Sequence, residues 1–503
     1  MNLEVPRNTV ARADTQLLAS ISHSQASRFL HVFIEAGYLP PSPDKIPEIL
    51  ELRARGGRNL PRLLRLTSEL KPVDILARLF LLGVPVPVDA ARSAMTAVPL
   101  EEWCEAGLAK IEKDCLTGLV AIIPFEGLLL ATEKPELLDR GADADYVSVI
   151  TLSTASLARF VIERPFPNVL DLCTGCGVIG FLAARQGGQV LATDLNPRAV
   201  QMAAFNAKMN GIHNVRFAAG SGFEPAGGRR FDLITANPPC VLGPSARYTF
   251  RDSGEELDSL CRKIIAAAPD HLTEKGIFQC TLEWPNLNGA DWRERISEVL
   301  QNLSCDALVL HLGTKDASFH AEETCFDTDV LDFEKQSKLY AAYMDYFQNR
   351  GVTSISEGLL ALRRRNDGST RIYLENLMRR SPNQFGSAVF QFFEISDALD
   401  RIGEGLFDLK PRMAPSLSVE SLRLWEGASW EEGSYRIRQC SGFELEAVVD
   451  ASIANLVRKC EGNRTLRDLA TEVAADAGVH LDTIAPGCLK VIRAMLQRGF
   501  LVL

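Results

Sequence analysis

The sequence lacks an excess of basic residues. It holds 54 Lys and Arg against 64 Asp and Glu, a formal net charge of −10 over 503 residues. Proteins that depend on the phosphates of DNA or RNA usually carry a basic excess, because phosphate contacts supply much of their affinity. Bulk nucleic-acid binding is therefore unfavourable, although a local basic patch is compatible with this balance.

Long apolar runs are also absent, and no leader is predicted. No uninterrupted apolar stretch reaches the roughly 18 residues that would suggest a membrane span. The start, residues 1–7, has no basic region followed by an apolar run, so no secretory signal is predicted. The 12 Cys are scattered without a framework of close pairs, which is typical of reduced thiols. We therefore expect a soluble, cytoplasmic protein of two to four domains.

Histidine is scarce. Seven are dispersed along the chain, and none forms a His-x-x-x-His pair. Cys173 and Cys176 form a Cys-x-x-Cys, but no second pair follows at a spacing that suits a metal. We predict no metal site.

The centre of the chain alternates strand and helix patterns, which predicts an α/β, doubly wound, Rossmann-like domain with a seven-stranded, mainly parallel sheet. Strands are expected near 169–173, 189–194, 214–218, 231–236, 276–282, 306–312 and 355–363, the last of them antiparallel.

Five segments are predicted around this domain. They are an N-terminal helical domain (1–96), a small β-containing linker domain (97–145), the catalytic domain (146–366), a mixed region without an assignment (367–448) and a C-terminal winged-helix-like module (449–503). The last segment has three short amphipathic helices and a final apolar strand. It resembles the small peptide-binding domains of the PqqD type, although plain packing explains the same pattern.

Residues 169–180 combine an apolar strand, an acid and a glycine-rich turn. Gly175, Gly177 and Gly180 give the turn its small residues. Such residues let the backbone N–H groups at the start of the next helix approach a ligand closely. Asp194, at the tip of the second strand, is placed to accept both ribose hydroxyls. The sequence therefore predicts a nucleoside site.

Four motifs extend this pattern: Asp171-Leu-Cys-Thr-Gly-Cys-Gly177, Thr193-Asp-Leu-Asn-Pro197, Phe231-Asp-Leu-Ile234 and Asn237-Pro-Pro-Cys240. Together they resemble the class I S-adenosylmethionine-dependent methyltransferases. Within that class they are most similar to the Asn-Pro-Pro branch that methylates amide or amino nitrogens, including the release-factor glutamine methyltransferases. The resemblance covers roughly residues 145–315. The segment 248–254 resembles a multidomain bacterial branch of these enzymes.

The resemblance implies S-adenosylmethionine as the cofactor. Asp171, Gly175 and Gly177 would line its methionine part, and Asp194 would hold the ribose. In the relatives an acid near adenine often follows the third strand, where this chain has Ser221. The implied cofactor site comprises Asp171, Cys173, Gly175, Gly177, Asp194, Leu195, Ser221 and Asn237.

Asn237 and Pro238 are the implied catalytic residues. An amide nitrogen is a poor nucleophile because its lone pair is delocalised. The side-chain oxygen of Asn237 and the carbonyl of Pro238 can accept its two N–H bonds, so that the lone pair is aimed at the methyl group. Pro238 and Pro239 stiffen the loop. The expected contribution of this motif is mainly positioning.

One position departs from the relatives. Where they usually have Tyr or Phe, this chain has Cys240. An aromatic ring stacks on a nucleobase with about 1–3 kcal/mol, so its absence argues against an RNA or DNA acceptor. A nucleophilic role for Cys240 is disfavoured, because no His is near it in the sequence.

The substrate side is predicted to include Pro239, Cys240, Tyr248, Arg251 and Asp252. Arg251 would bind a carboxylate and Asp252 an amine, and a structural salt bridge between the two is an equal alternative. The predicted acceptor is a nitrogen of a peptide, a protein or an amino-acid-like metabolite, and the expected partner is a peptide, protein or small amine substrate. Nucleic acid and membrane are not expected as partners, and the oligomeric state stays open.

Three other functions fit parts of the sequence. The first is an enzyme that uses the sulfonium group of S-adenosylmethionine for another reaction, such as intramolecular cyclisation or alkyl transfer. Cys240, in place of the usual aromatic residue, suggests this alternative. The second is a non-enzymatic peptide-binding scaffold, which the C-terminal module motivates. The third is an rRNA N-methyltransferase, because the motifs of this chain also resemble those of the rRNA N-methyltransferases.

Overall fold

The structure is a computed structural model that describes residues 11–39, 45–54, 59–148, 150–326, 333–377, 383–425, 427 and 429–503. Helices dominate its first hundred residues, and short strands follow. The helices are α1 (Thr15–Ser20), α2 (His23–Glu35), α3 (Lys45–Ala54), α4 (Leu60–Leu66), α5 (Pro72–Phe80), α6 (Val88–Ala94) and α7 (Leu100–Glu105). The strands are β1 (Val86–Pro87), β2 (Ala109–Glu112), β3 (Cys115–Gly118), β4 (Ala121–Phe125) and β5 (Leu128–Thr132).

The central region is a doubly wound α/β sheet with helices on both faces. Its strands are β6 (Asn168–Leu172), β7 (Gln189–Asp194), β8 (Val215–Ala219), β9 (Phe231–Ala236), β10 (Leu272–Leu287), β11 (Cys305–Asp316), β12 (Val352–Arg364) and β13 (Arg371–Asn376). Its helices are α8 (Leu152–Phe160), α9 (Val178–Ala184), α10 (Pro197–Met209), α11 (Ser259–Ala267), α12 (Trp292–Leu300), α13 (Ala317–Phe326) and α14 (Phe333–Gln348).

The sheet has eight strands, one more than the seven predicted. Their order is β13-β11-β12-β10-β9-β6-β7-β8, and β12 runs antiparallel to both of its neighbours. The additional strand is β13, which pairs in parallel with β11 and lies in the 367–448 region that the sequence left without an assignment. All its side chains stay partly exposed, so its sequence carries no clear inside–outside alternation.

Side chains of the strands alternate between the two faces of the sheet. Val169 and Leu233 pack with the buried residues of α8 and α9. Their neighbours Leu170 and Ile234 pack on the other face with those of α11 and α12. Both faces are therefore buried, which explains the continuous apolar strands of the sequence.

Helix α10 joins the N-terminal region to the sheet through two asparagines. The side chain of Asn206 accepts from the backbone N–H of Ala131 (2.8 Å) and donates to the carbonyl of the same residue (2.9 Å). Asn210 makes the same pair of bonds with Leu129, at 2.9 and 2.7 Å. The two amides thus continue the hydrogen-bonding pattern of a strand along β5 and close its edge.

The C-terminal region follows the sheet with a long helix, a small antiparallel sheet and three helices. Its elements are α15 (Gly386–Ile402), β14 (Arg412–Met413), β15 (Leu417–Trp425), β16 (Trp430–Gln439), β17 (Glu446–Val449), α16 (Ala451–Arg458), α17 (Leu466–Asp476), α18 (Leu481–Gln497) and β18 (Leu501–Val502). β15, β16 and β17 form one sheet, and β18 returns beside β14.

Across the described ranges, no helix combines the length and apolar character needed to cross a membrane.

Candidate active site

A cavity of about 990 Å³ opens at the carboxyl ends of β6, β7, β9 and β10. This is the point where the strand order of the sheet reverses, the usual place for a ligand in an open α/β sheet. The predicted site residues that line it are Asp171, Cys173, Gly175, Asp194, Leu195, Ser221, Asn237, Pro238, Pro239, Cys240 and Arg251. The other three, Gly177, Tyr248 and Asp252, do not line it.

Asp171 lies buried beneath the glycine turn, and its carboxyl group organises that turn. One oxygen accepts from Thr174 Oγ1 (2.6 Å) and from the N–H of Gly180 (3.0 Å), and the other accepts from Thr235 Oγ1 (2.7 Å). Burial raises the pKa of Asp171 to about 6, against the effect of these three donors. Most of its hydrogen-bonding capacity is therefore used by two threonine hydroxyl groups and one backbone N–H of the protein itself.

Glycine is required at two positions of the turn for different physical reasons. Gly175 has φ +55°, and a Cβ there would meet no atom within 4 Å, since it faces the cavity. Gly177 has φ +97°, and a Cβ there would lie 2.3 Å from the ring of Phe181. Gly177 therefore lets helix α9 begin against the turn and acts through packing, whereas Gly175 leaves the cavity wall open.

Gly177→Ala is expected to destabilise the fold by more than Gly187→Ala, its matched control at the other end of α9. Gly187 has nearly the same φ (+98°) but open space around it. Both variants incur the left-handed backbone cost of about 1–2 kcal/mol. Only the first adds a clash, worth about 1–3 kcal/mol. Urea unfolding measures the difference, and equal free energies of unfolding would contradict this account.

Asp194 joins the turn to the tip of β7. Its Oδ2 accepts from the N–H of Gly175 (2.9 Å), and its Oδ1 accepts from the N–H of Asn196 (2.9 Å). Each carboxylate oxygen can accept a second hydrogen bond, so both can still receive a hydroxyl group from the cavity. Burial raises the pKa of Asp194 against the effect of these two backbone donors.

Asn237 is held from two sides by residues that the sequence did not reveal. Its Nδ2 donates to Thr154 Oγ1 on α8 (3.1 Å), and its Oδ1 accepts from Thr281 Oγ1 on β10 (2.6 Å). The amide plane is thereby fixed beside Pro238 at the cavity wall. Thr154 is 83 residues away and Thr281 is 44 residues away, so no local spacing signalled either of them.

Asp252, predicted to meet a substrate amine, instead holds the loop that follows the Asn-Pro-Pro motif. Its carboxylate accepts from Ser245 Oγ (2.8 Å), from the N–H groups of Arg247 and Tyr248 (2.9 and 3.1 Å) and from Arg251 Nε (2.8 Å). The salt-bridge alternative therefore describes this pair in the structure. A carboxylate with four donors has little capacity left for a ligand.

Tyr248 is buried between the guanidinium groups of Arg247 and Arg251, which lie 4.9 and 5.6 Å from its ring centroid. It supports Arg251 from behind, whereas Arg251 itself reaches the cavity. In this loop, Arg251 therefore faces the cavity, and Tyr248 and Asp252 hold Arg251 in position.

The far wall of the cavity is charged, and sequence reasoning missed it. Two ion pairs lie there, Lys263 with Glu255 (2.8 Å) and Lys315 with Glu323 (2.7 Å). Glu283 on β10 and Glu357 on β12 line the same wall, and these two are register partners in the sheet. Alternating hydrophobicity predicts such strands but does not report which polar side chains end up facing each other.

The insertion between β11 and β12 covers this wall. Leu242, two residues after Cys240, packs in one apolar cluster with residues of α13 and α14, including Ala321 and Tyr343. The ring Nε2 of His320 donates to the carbonyl of Leu242 (3.0 Å). The insertion therefore fixes the loop that carries the Asn-Pro-Pro motif.

The cysteines around the cavity have the character of apolar side chains. Burial raises the pKa of Cys240 well above its usual value, and the nearby Glu283 adds to the shift. Burial also raises the pKa of Cys176 to about 11. A thiol in this state is a poor nucleophile. Within the described ranges, no three His, Cys, Asp or Glu side chains come together as a set that could hold a metal.

Comparison with known proteins gives two family matches. Residues 149–289 match the Methyltransferase small domain, and residues 54–121 match a domain of unknown function (DUF7059). The first match covers β6 to β10 with the Asn-Pro-Pro motif, and it ends before β11, α13, α14 and β12.

Three relatives are bacterial. The chain is 36% identical over 222 residues to the ribosomal protein uL3 glutamine methyltransferase of Bradyrhizobium diazoefficiens, covering 41% of this chain and 63% of that one. It is 39% identical over 122 residues to the release factor glutamine methyltransferase of Xylella fastidiosa (22% and 44%). It is 32% identical over 175 residues to the ribosomal protein L11 methyltransferase of Thermus thermophilus (34% and 66%).

The chain thus spans less than two thirds of each relative's length. Its central sheet is the large mixed sheet of a Rossmann-like methyltransferase domain. The resemblance of this central part of the chain to the class I S-adenosylmethionine-dependent methyltransferases of the Asn-Pro-Pro type is confirmed.

Proposed function

We propose that this chain transfers a methyl group from S-adenosylmethionine to a nitrogen of a protein or peptide, with the carboxamide of glutamine as the favoured acceptor. The observation that carries the proposal is the fixed amide of Asn237 beside Pro238 in the wall of the cavity. The names of two relatives, which are glutamine methyltransferases of a ribosomal protein and a release factor, support the choice of acceptor.

The residues of the cavity fit the cofactor. Asp194 can still accept two hydroxyl groups, as a ribose requires. Leu195 is 63% exposed at the cavity, and Phe223 lines it as well, so apolar surface is available to an adenine ring. Gly175 leaves the methionine side open. A cavity of about 990 Å³ has room for the cofactor and one acceptor side chain.

The protein contributes geometry to the reaction. When bound, the cofactor supplies an electrophilic methyl group on a positively charged sulfur. Asn237 Oδ1 and the carbonyl of Pro238 would accept the two N–H bonds of the acceptor and orient its nitrogen. Thr281 holds that oxygen in place, and the rigid Pro238–Pro239 backbone holds the carbonyl. Orientation of this kind supplies several kcal/mol of the barrier reduction.

Cys240 supports a peptide acceptor over a nucleobase. Its side chain lines the cavity and offers no ring on which a base could stack. A peptide side chain needs no such platform, because the protein can bind the peptide residues on both sides of the acceptor.

The flanking regions complete the proposal. The N-terminal helical domain would cover the substrate; Arg12 and Arg198 share the buried carboxylate of Glu133, which attaches that region to α10. The C-terminal winged-helix-like module would recognise a partner, supported by α16, α17 and α18 with the returning strand β18. A cytoplasmic location stays a prediction.

The test uses the purified full chain. Calorimetry with S-adenosylmethionine is expected to show one saturable site. An array of peptides that differ only in a central Gln, Asn, Lys or Ala, incubated with methyl-labelled cofactor, is expected to gain label on Gln together with release of S-adenosylhomocysteine. Methylthioadenosine as the product would favour the altered chemistry, and no heat of cofactor binding would favour a scaffold.

A further inference from the structure

Glu283 lies next to the residues that fix Asn237. It follows Thr281 by two positions on β10, so both side chains emerge on the same face of the strand. Thr281 donates to Asn237, and Glu283 lines the same cavity wall as Cys240. The Glu283 carboxyl group is therefore within the acceptor end of the cavity.

One oxygen of this carboxyl group is buried without a partner among the described residues. The backbone N–H of Leu242 is close enough to lower the pKa of Glu283, but Oε2 is enclosed and makes no hydrogen bond. A buried polar atom without a partner destabilises the unliganded protein. The arrangement suits a ligand that brings the missing partner.

Burial and the charged groups that face Glu283 together decide its protonation state. Burial raises the pKa of Glu283 to about 8, and the carboxylate of Glu357 on the neighbouring strand adds to the shift. Lys315 on β11 lowers the pKa, but it is paired with Glu323 of α13, which raises it. The side chain thus carries a proton at neutral pH, and a protonated carboxyl group has an O–H donor to offer.

We propose that Glu283 donates this hydrogen bond to the carbonyl oxygen of the acceptor and thereby selects a primary carboxamide over an amine. The inference rests on the proposed methyl transfer to nitrogen. Asn237 Oδ1 and the Pro238 carbonyl supply two acceptors, and Glu283 supplies one donor. A primary carboxamide offers the complement of that set, two N–H donors and one carbonyl oxygen.

An ammonium group matches this wall less well. It brings three donors and no acceptor, so it leaves the Glu283 O–H without a partner and pairs best with the deprotonated carboxylate. Lys315, which faces the same two carboxyl groups, would also repel it. The two acceptor classes therefore make opposite demands on the Glu283 proton, and this difference can be measured.

The first experiment follows that proton by infrared difference spectroscopy of wild type against Glu283→Gln, with S-adenosylhomocysteine bound. The probes are N-acetylglutamine methylamide and N-acetyllysine methylamide. We expect a protonated-carboxyl band at pH 7 that is lost as the pH rises through about 8, and that shifts when the glutamine probe is added. Absence of the band, an unmoved band, or its loss on adding the lysine probe would overturn the proposal.

The second experiment measures kcat/KM for the glutamine probe as a function of pH. Wild type is expected to lose activity above pH about 8, because the donor is deprotonated there. Glu283→Ala lowers kcat/KM about 10- to 100-fold. Glu283→Gln, which keeps an N–H donor, recovers part of that loss and removes the decline at high pH. Glu322→Gln, an exposed neighbour of the wall, serves as the control with an unchanged pH profile.

The two proposals fail differently. If cofactor binds and S-adenosylhomocysteine forms, but the wild-type and Glu283→Gln profiles coincide, the role of Glu283 is wrong and methyl transfer stands. If neither cofactor binding nor S-adenosylhomocysteine is seen, methyl transfer is wrong, and the infrared band still reports on the Glu283 proton by itself.

Discussion

Asn237→Ala is expected to lower kcat by about 100- to 1,000-fold, the cost of removing one preorganised hydrogen-bonding group from an active site. The variant removes the oxygen that would accept from the reacting nitrogen and leaves the backbone of the motif in place. Since this contact matters most when the nitrogen changes geometry, the loss should appear in kcat more than in substrate affinity. Initial rates of S-adenosylhomocysteine release at saturating peptide measure it.

Two further variants make the Asn237 result specific. Thr281→Val keeps the shape of the side chain and removes the hydroxyl that donates to Asn237 Oδ1, so we expect a smaller loss, about tenfold. Asn349→Ala changes an exposed asparagine after α14 and serves as the control. A full rate in Asn237→Ala, or a loss explained by unfolding alone, would contradict the assigned role.

Asp194→Asn is expected to weaken the binding of S-adenosylmethionine by about 100-fold or more. Hydrogen bonds to a charged group are worth about 1.5–3 kcal/mol each, and the ribose would receive two. The amide also places an NH2 group where one oxygen now accepts from the N–H of Gly175 or Asn196. Both the weaker hydrogen bonds and the lost backbone contact lower the affinity for S-adenosylmethionine. Calorimetric titration measures the change in Kd.

The control for Asp194 is Asp89→Asn, an exposed acid at the start of α6. It makes the same chemical change far from the cavity and should leave the affinity for the cofactor as in wild type. An Asp194→Asn variant that binds the cofactor normally would show that the ribose lies elsewhere. The fold of each variant is compared by its unfolding in urea.

The two halves of the cavity have different origins in the chain. The cofactor half lies within residues 149–289, where the Methyltransferase small domain matches. The acceptor half adds Lys315, Glu323 and Glu357 from β11, α13 and β12, beyond that match. The motifs therefore fall within the matched range, whereas part of the proposed acceptor wall lies beyond it.

The cofactor half could be predicted from the sequence because its contacts are local. The turn, the helix that follows it and Asp194 fall within about one βαβ unit, where strand and helix periods fix the relative positions. Asp171 was placed correctly at the cavity. Its hydrogen bonds from the N–H of Gly180 and from Thr235 Oγ1 show that it also joins α9 to β9.

Elsewhere the sequence was less informative. Gly177, Tyr248 and Asp252 were predicted as contacts and lie behind the cavity wall, because a motif shows which residues are near a site but not which way they face. The eighth strand was missed because its residues are all partly exposed, so no alternation marked it.

By itself, the sequence determined seven of the eight strands of the sheet, the glycine turn, the acid at the tip of the second strand and the position of the Asn-Pro-Pro motif. Only the tertiary structure decided how Asn237 is held and what it faces. Thr154 on α8 and Thr281 on β10 hold its amide, Glu283 lines the same cavity, and Glu357 lies opposite Glu283 through the register of two strands. Side chains that meet through strand pairing are far apart along the chain, so neither period nor spacing encodes their meeting.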